Sequence, residues 1–312
     1  MTDANGLSHD MPIDDAAVAK FELKPLGRRY AVLGLTNSRV EETLTFLDDE
    51  RYFSSLCDNP NITGVVTNPA LAARVVENCP SISTYVHNDP RWAFFSFQNH
   101  ETQRLRTIWP SQIHPDAVIH PAATVADNNV VIGARTTIAA GAVVKADVEI
   151  GEDCVIEPNV VVGGEGFEYK RTSRGLLPVI HDGVVRVGNR VELGCGTCVD
   201  KGFAGRPTVL EDDCKTDNLV HIGHCACIGE GALLTAGTII AGSVTVGKRV
   251  FLGINSSIAP NVTIGDDALI SMGAVVSRDV PARGQVTGNL AVPHKEFLRR
   301  FKAVGVLAGK PS

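Results

Sequence analysis

Residues 221–265 read HIGHCACIGEGALLTAGTIIAGSVTVGKRVFLGINSSIAPNVTIG, and an aliphatic side chain returns in this stretch at every sixth position. The series runs Ile222, Ile228, Leu234, Ile240, Val246, Leu252, Ile258 and Ile264, and continues to Ile270 and Val276. Four residues after each comes a small or β-branched residue, such as Ala226, Ala232, Thr238, Val244, Val250 and Ser256. An amphipathic helix would repeat near 3.6 residues and a half-buried strand at two, so a beat of six excludes both. Six residues make one short strand and a turn. Three such units close a triangular coil, and stacked coils bury a continuous aliphatic column.

The same beat runs upstream through Ile132, Ile138, Val144, Ile150, Ile156 and Val162, with Ile113, Ile119 and Val125 leading in. It breaks between Gly163 and Val185, at GGEGFEYKRTSRGLLPVIHDGV, and again briefly from Phe203 to Pro207. A non-repetitive excursion from a solenoid is a surface loop on one face, a common place for function. Composition agrees with a narrow, many-cornered β structure: 30 glycines, and aromatics only 5% of the chain.

The ends are different. Residues 1–110 lack the repeat and read as a small α/β domain. Strands are expected at Arg29–Leu35, Ile62–Thr67 and Ser83–His87. Asn68-Pro69 and Asp89-Pro90 open helices running to about Cys79 and His100. The β-helix domain spans 111–288, and 289–312 holds a C-terminal helix, Pro293 to Val306, and tail. That helix is basic and amphipathic. It caps the solenoid or offers a surface to an acidic carrier protein.

The net charge of −6 gives no basic surplus, so nucleic acid is not an expected partner. The first residues, MTDANGLSHDMPIDDAA, are polar and acidic rather than signal-like, and no stretch approaches the roughly 20 apolar residues of a membrane span. These features predict a cytoplasmic protein without stable membrane insertion. Eight cysteines in a chain this long do not suggest a disulfide scaffold. Cys195 and Cys198 form a CxxC and Cys225 and Cys227 a CxC, but no further ligand pair completes a zinc set. Cys154 and Cys214 occupy the slot for small side chains, so no metal is expected.

Two stretches narrow the family: VGNRVELGCGTCVDKG (Val187 to Gly202) and TDNLVHIGHCACIG (Thr216 to Gly229). With GGEGFEYK (Gly163 to Lys170) and LTFLDDERY (Leu44 to Tyr52), they resemble the UDP-3-O-acylglucosamine N-acyltransferase of lipid A synthesis, in the same order along nearly the whole chain. The resemblance implies a mainly β fold, a left-handed parallel β-helix with a small N-terminal α/β domain and a C-terminal helix. It also implies a homotrimer, a UDP-linked amino sugar as acceptor and a hydroxyacyl thioester of acyl carrier protein as donor, with no cofactor.

The resemblance assigns His224 as general base, Asp217 as the acid assisting it, Phe46 and Tyr52 as the pair sandwiching uracil, and Gly166, Phe167 and Tyr169 as the acceptor lip. Chemistry supports part of this, because a neutral imidazole can take the proton of an attacking amine and the oxyanion needs a backbone donor. One 18-residue coil on from His224 stands Gly242, where the family's oxyanion donor also falls. The family's second cleft histidine, 37 residues after the base, is Asn261 here. The segment GAVVSRDVPARGQVTGNLA (Gly273 to Ala291) is similar to the ending of sugar acetyltransferases, which favours coenzyme A as carrier and acetyl as the acyl group in an alternative reading. A third reading is a non-catalytic solenoid binding module, in which His221 and His224 face solvent at corners and Phe46 and Tyr52 are ordinary core aromatics.

Overall fold

The computed structural model describes residues 15–288 and 291–307; the N-terminal residues 1–14, the 288/289 boundary and the tail lie partly or wholly outside them. From Gln112 onward the chain winds through three parallel sheets of eight, eight and nine strands, each strand only two to four residues long. Where the repeat is unbroken, a strand pairs with the one 18 residues on, as Val143 does with Val161 and His221 with Ile239; across the two interruptions the spacing widens, as between Val148 and Val185 or Cys198 and His221. The six-residue aliphatic positions point inward and form one column, Ile132 to Val276, almost all of it inaccessible to water.

The corners explain a second six-residue beat. Asn129, Arg135, Asp147, Asp153 and Asn159 all have positive φ, and the beat resumes with Leu219, Cys225, Ser243, Arg249, Asn255, Asn261 and Asp267. Each corner turns through one left-handed residue, a conformation that asparagine and aspartate tolerate best among non-glycines. Stacked corners place Arg135 over Asp153 and Arg249 over Asp267, joined by paired guanidinium–carboxylate hydrogen bonds. The glycine after each inward aliphatic has a different cause. A Cβ on Gly229 would fall 2.6 Å from the carbonyl carbon of Gly247 in the next coil. Close backbone approach requires it, not an unusual φ.

The excursion lengthens one coil, so that Val161 pairs with Cys198 rather than with a residue 18 on. Within it, Tyr169–Thr172 and Gly175–Pro178 form an antiparallel hairpin. The hairpin stands on the helix Pro90–Leu105, where Ser173 N donates to Asp89 Oδ2 (2.6 Å), Asn99 Nδ2 donates to Pro178 O (2.8 Å) and Ile180 N donates to Asn99 Oδ1 (2.8 Å). Val179, Phe203, Ala204 and Cys225 then pack into the same apolar cluster as Tyr30, Leu33 and Phe94 of the N-terminal part. The two irregularities of the repeat are therefore where the solenoid and the α/β part are joined.

That part is a four-stranded parallel sheet, Val32–Leu33, Thr43–Leu47, Ile62–Thr67 and Ser83–Val86 in sequential order, with helices Pro69–Asn78 and Pro90–Leu105. Asn68 and Asp89 cap those helices through their side-chain oxygens, each just before a first-turn proline. The first strand is shorter than the sequence predicts and the second helix five residues longer; the strand Thr43–Leu47 had no separate sequence signal. Cys57 and Cys79 form a disulfide inside this part, a pairing that the sequence reading did not foresee. Cys154 and Cys214 are fully buried in the coils. Among the described residues no helix is long and apolar enough to cross a membrane, and no group of three His, Cys, Asp or Glu is disposed around a metal-sized site. The C-terminal helix spans His294–Leu307, with Phe297 and Phe301 stacked and exposed.

Candidate active site

His224 sits at the corner that follows the strand His221–Ile222, with Cys225 as the left-handed residue of the turn. Ser243 N donates to His224 O at 2.8 Å, which fixes the next coil directly over it. Its imidazole lies against Gly242: a Cβ there would come within 2.8 Å of Nδ1 and closer still to Cε1 and Nε2. The 18-residue count that placed Gly242 over His224 matches the observed stacking.

The Gly242 N–H is open. At several other corners the equivalent N–H is taken by a side-chain oxygen of an adjoining coil, Lys248 N by Asp266, Glu230 N by Glu211 and Asn189 N by Asp212; at others, such as Ala236 and Ile254, it is open as at Gly242 among the described residues. Above Gly242 the stacked residue is Pro260, which carries no side-chain acceptor, and among the described residues nothing accepts from Gly242 N. A free backbone donor thus lies beside an imidazole.

The excursion and the second irregularity close around this corner. Phe203 and His181 pack edge-on to the His224 ring, with centroids 5.2 and 5.7 Å away. Gly166 fits between the two histidines; a Cβ there would fall 2.9 Å from His224 Cβ and Cδ2 and 2.5 Å from His181 Nε2. Glu168 Oε2 stands 3.7 Å from His224 Nε2, and Lys170 Nζ is 2.7 Å from Glu168 Oε1. Arg206 donates to Ser243 Oγ at 3.1 Å. Burial pushes the His224 pKa down to about 4; Glu168 opposes this, while His181, Arg206 and Lys170 add to it. The ring is neutral at neutral pH, with Nδ1 sealed from solvent and unpartnered. Nε2 is the nitrogen left to meet a substrate.

His181 is buried, and its pKa is likewise lowered by burial. Its Nδ1 lies 3.5 Å from Glu165 Oε2, and Glu165 in turn pairs with buried Lys201 at 2.9 Å. Asp200, raised by burial, faces His221 Nε2 at 3.7 Å. At the outer rim Phe167 and Tyr169 form a ring pair, centroids 5.1 Å apart, with Phe167 87% exposed.

Not every expected residue meets His224. Asp217 is exposed on the preceding corner, its Oδ1 accepting from Asn218 N, and among the described residues no hydrogen bond or ion pair joins it to His224. The repeat explains this: seven residues carry the chain past one whole face of the coil. Asn261 is the left-handed residue of a corner two coils beyond Cys225, roughly 9–10 Å along the axis at the usual strand spacing. Phe46 packs on Phe94 and Phe95 at 5.2 and 5.0 Å, whereas Tyr52 is half exposed beside Arg51. No ring contact joins Phe46 to Tyr52 among the described residues. Glu168, His181, Phe203 and Arg206 were not singled out by the sequence; the two breaks in the repeat were the available signal.

The family model "Bacterial transferase hexapeptide (six repeats)" matches residues 129–164 and 243–278. A UDP-3-O-acylglucosamine N-acyltransferase of Methylococcus capsulatus is 30% identical over 290 residues, covering 83% of this chain and 81% of that protein. "Probable UDP-3-O-acylglucosamine N-acyltransferase 2, mitochondrial" of Arabidopsis thaliana is 38% identical over 153 residues, about half of either chain. A solved UDP-N-acetylglucosamine acyltransferase from Campylobacter jejuni superposes with a TM-score of 0.48 at 20% identity, covering 64% of this chain and 86% of that one.

Proposed function

Because the chain belongs to the UDP-3-O-acylglucosamine N-acyltransferase family, built on a left-handed parallel β-helix of hexapeptide repeats, we propose that it acylates the amino group of a UDP-linked amino sugar in lipid A biosynthesis. The donor in this reading is a 3-hydroxyacyl thioester of acyl carrier protein, and the place of work is the cytoplasm. The observation that carries the chemistry is the neutral imidazole of His224 lying beside the open N–H of Gly242.

The sugar amine attacks the thioester carbonyl carbon, a C–N bond forms, and His224 Nε2 takes the amine proton. The carbonyl oxygen becomes an oxyanion and accepts from Gly242 N–H. Collapse breaks the C–S bond, and the imidazolium returns its proton to the departing thiolate. Thioester aminolysis is downhill and by its chemistry calls on no redox group or metal. Phe167 and Tyr169 serve as the acceptor lip, and Tyr52 with the partly exposed edge of Phe46 takes the uracil.

Assembly as a homotrimer is supported by apolar side chains on the outer faces of the coils. Leu233, Phe251 and Leu269 stack on one face, and Ile239 and Val275 line the next, with Leu219, Ile254 and Met272 on the corner between. Such a contiguous exposed strip marks a protein contact. Asp217 lies on that same corner, available to the cleft between copies.

The test is turnover, followed by free thiol, with a UDP-amino sugar and either 3-hydroxyacyl–acyl carrier protein or acetyl-CoA. Activity with acetyl-CoA alone would replace the long-chain donor by the acetyl reading that the Gly273–Ala291 segment favours. His224→Ala is expected to lose roughly 10²-fold or more in kcat while the fold persists. Undiminished turnover in that variant would remove the base assignment.

A further inference from the structure

We propose that Glu168, carried by the excursion, is the positioning residue for His224: its carboxylate holds the imidazolium that forms when Nε2 takes the proton. This rests on the reading of His224 as base. The geometry singles out this one carboxylate. Nδ1 is sealed and without a partner, so the proton arrives on Nε2, and the acid facing Nε2 is Glu168 Oε2 at 3.7 Å. In the neutral state that distance is longer than a hydrogen bond. Once Nε2 takes up the ring's second proton the two become a charge pair with a donor facing an acceptor, and the interaction grows in the transition state rather than before it.

Glu168 is held for this purpose from both sides. Its N–H donates to Gly166 O at 3.1 Å, and its carbonyl accepts from Val179 N at 3.0 Å, closing the base of the hairpin. Its other carboxylate oxygen takes Lys170 Nζ. The hairpin is anchored on the Pro90–Leu105 helix through Asn99 and Asp89, so the carboxylate does not ride on a free loop. Asp217, the acid assigned by resemblance, has no hydrogen bond or ion pair with His224 among the described residues.

The charged and titratable groups that face His224 are Glu168 and Lys170 from the hairpin side, His181 with Glu165 behind it, and Arg206 from the second irregularity. Glu168 is the anion among those that touch the ring's surroundings directly, and Lys170 is the cation that tempers it. The plainer alternative is that Glu168 only ties down Lys170.

The two readings separate on pH. The base works only when neutral, so activity is present above the pKa of His224 and falls away below it. Glu168→Gln removes the charge that favours the imidazolium; the acid limb of kcat then moves to lower pH and kcat drops roughly 10- to 100-fold, with KM changed by less than about 3-fold. Lys170→Gln removes an opposing cation and moves the same limb to higher pH. The measurement is thiol release by the full-length protein across the pH range, backed by titration of the His224 Cε1 resonance in histidine-labelled protein. Opposite displacements by the two variants support the inference. If His224→Ala is inactive while both variants leave the limb in place, or move it the same way, the inference is overturned. If His224→Ala stays active, the premise about the base falls instead.

Discussion

Gly242→Ala tests the central geometry with the smallest possible change. The added methyl would lie 2.8 Å from His224 Nδ1 and closer to Cε1 and Nε2. Carbon atoms rest at about 3.5–4.0 Å, so the imidazole must move by at least ~1 Å to admit it. The ring cannot yield easily, because Phe203, His181 and Gly166 close its other sides. Gly242 does not have a positive φ, so alanine adds no backbone strain there, and its N–H is retained. The expected result is an intact protein whose oxyanion donor is chemically unchanged but whose base is displaced. A displacement of that size costs roughly 10²-fold in kcat. Steady-state thiol release with both substrates varied reads the effect. A kcat within about 3-fold of the parent, in protein with an unchanged urea midpoint, would refute the claim that Gly242 and His224 work in contact.

Leu234→Ala removes a fully buried side chain from the aliphatic column, and should cost about 2–5 kcal/mol in urea unfolding without altering the pH profile of surviving activity. Tyr52→Ala, at a half-exposed ring, should raise KM for the nucleotide sugar and leave the unfolding midpoint within experimental error. Phe46→Ala should raise that KM and also lower stability by about 2–4 kcal/mol, since its ring packs on Phe94 and Phe95. Equal stability losses in the two aromatic variants would mean that Tyr52 is structural too.

Much of the scaffold could be read in advance because hexapeptide coils are nearly one-dimensional. Each residue's neighbours lie a fixed number of positions away, so counting replaces three-dimensional search. That is why Ile222, Ile240 and Ile258 stack as expected, and why His224 and Gly242 meet. The same counting rule, applied more strictly, would have placed Asp217 one corner away from His224 and Asn261 two coils along. Resemblance carried those two residues to the site by role, and the coil geometry of a single chain does not bring them there. In the N-terminal part the capped, proline-started helices were legible from Asn68-Pro69 and Asp89-Pro90. The strand Thr43–Leu47 was not, because TLTFL is short and its two faces are almost equally buried, leaving no alternation to detect.

The sequence alone determined the parallel β-helix, the stacking of Gly242 on His224, and the location of the interruptions. Those properties follow from local period. Which side chains crowd the imidazole was decided only by tertiary structure. Glu168, His181, Phe203 and Arg206 come from irregular segments whose paths are set by the hairpin on the Pro90–Leu105 helix and by an apolar cluster shared with Tyr30, Leu33 and Phe94. No repeat length relates Glu168 to His224; the 3.7 Å between them exists because distant parts of the chain pack together. The same packing buries the ring and lowers its pKa, so the protonation state of the His224 imidazole is a property of the assembled fold and not of the HIGHC stretch that carries it.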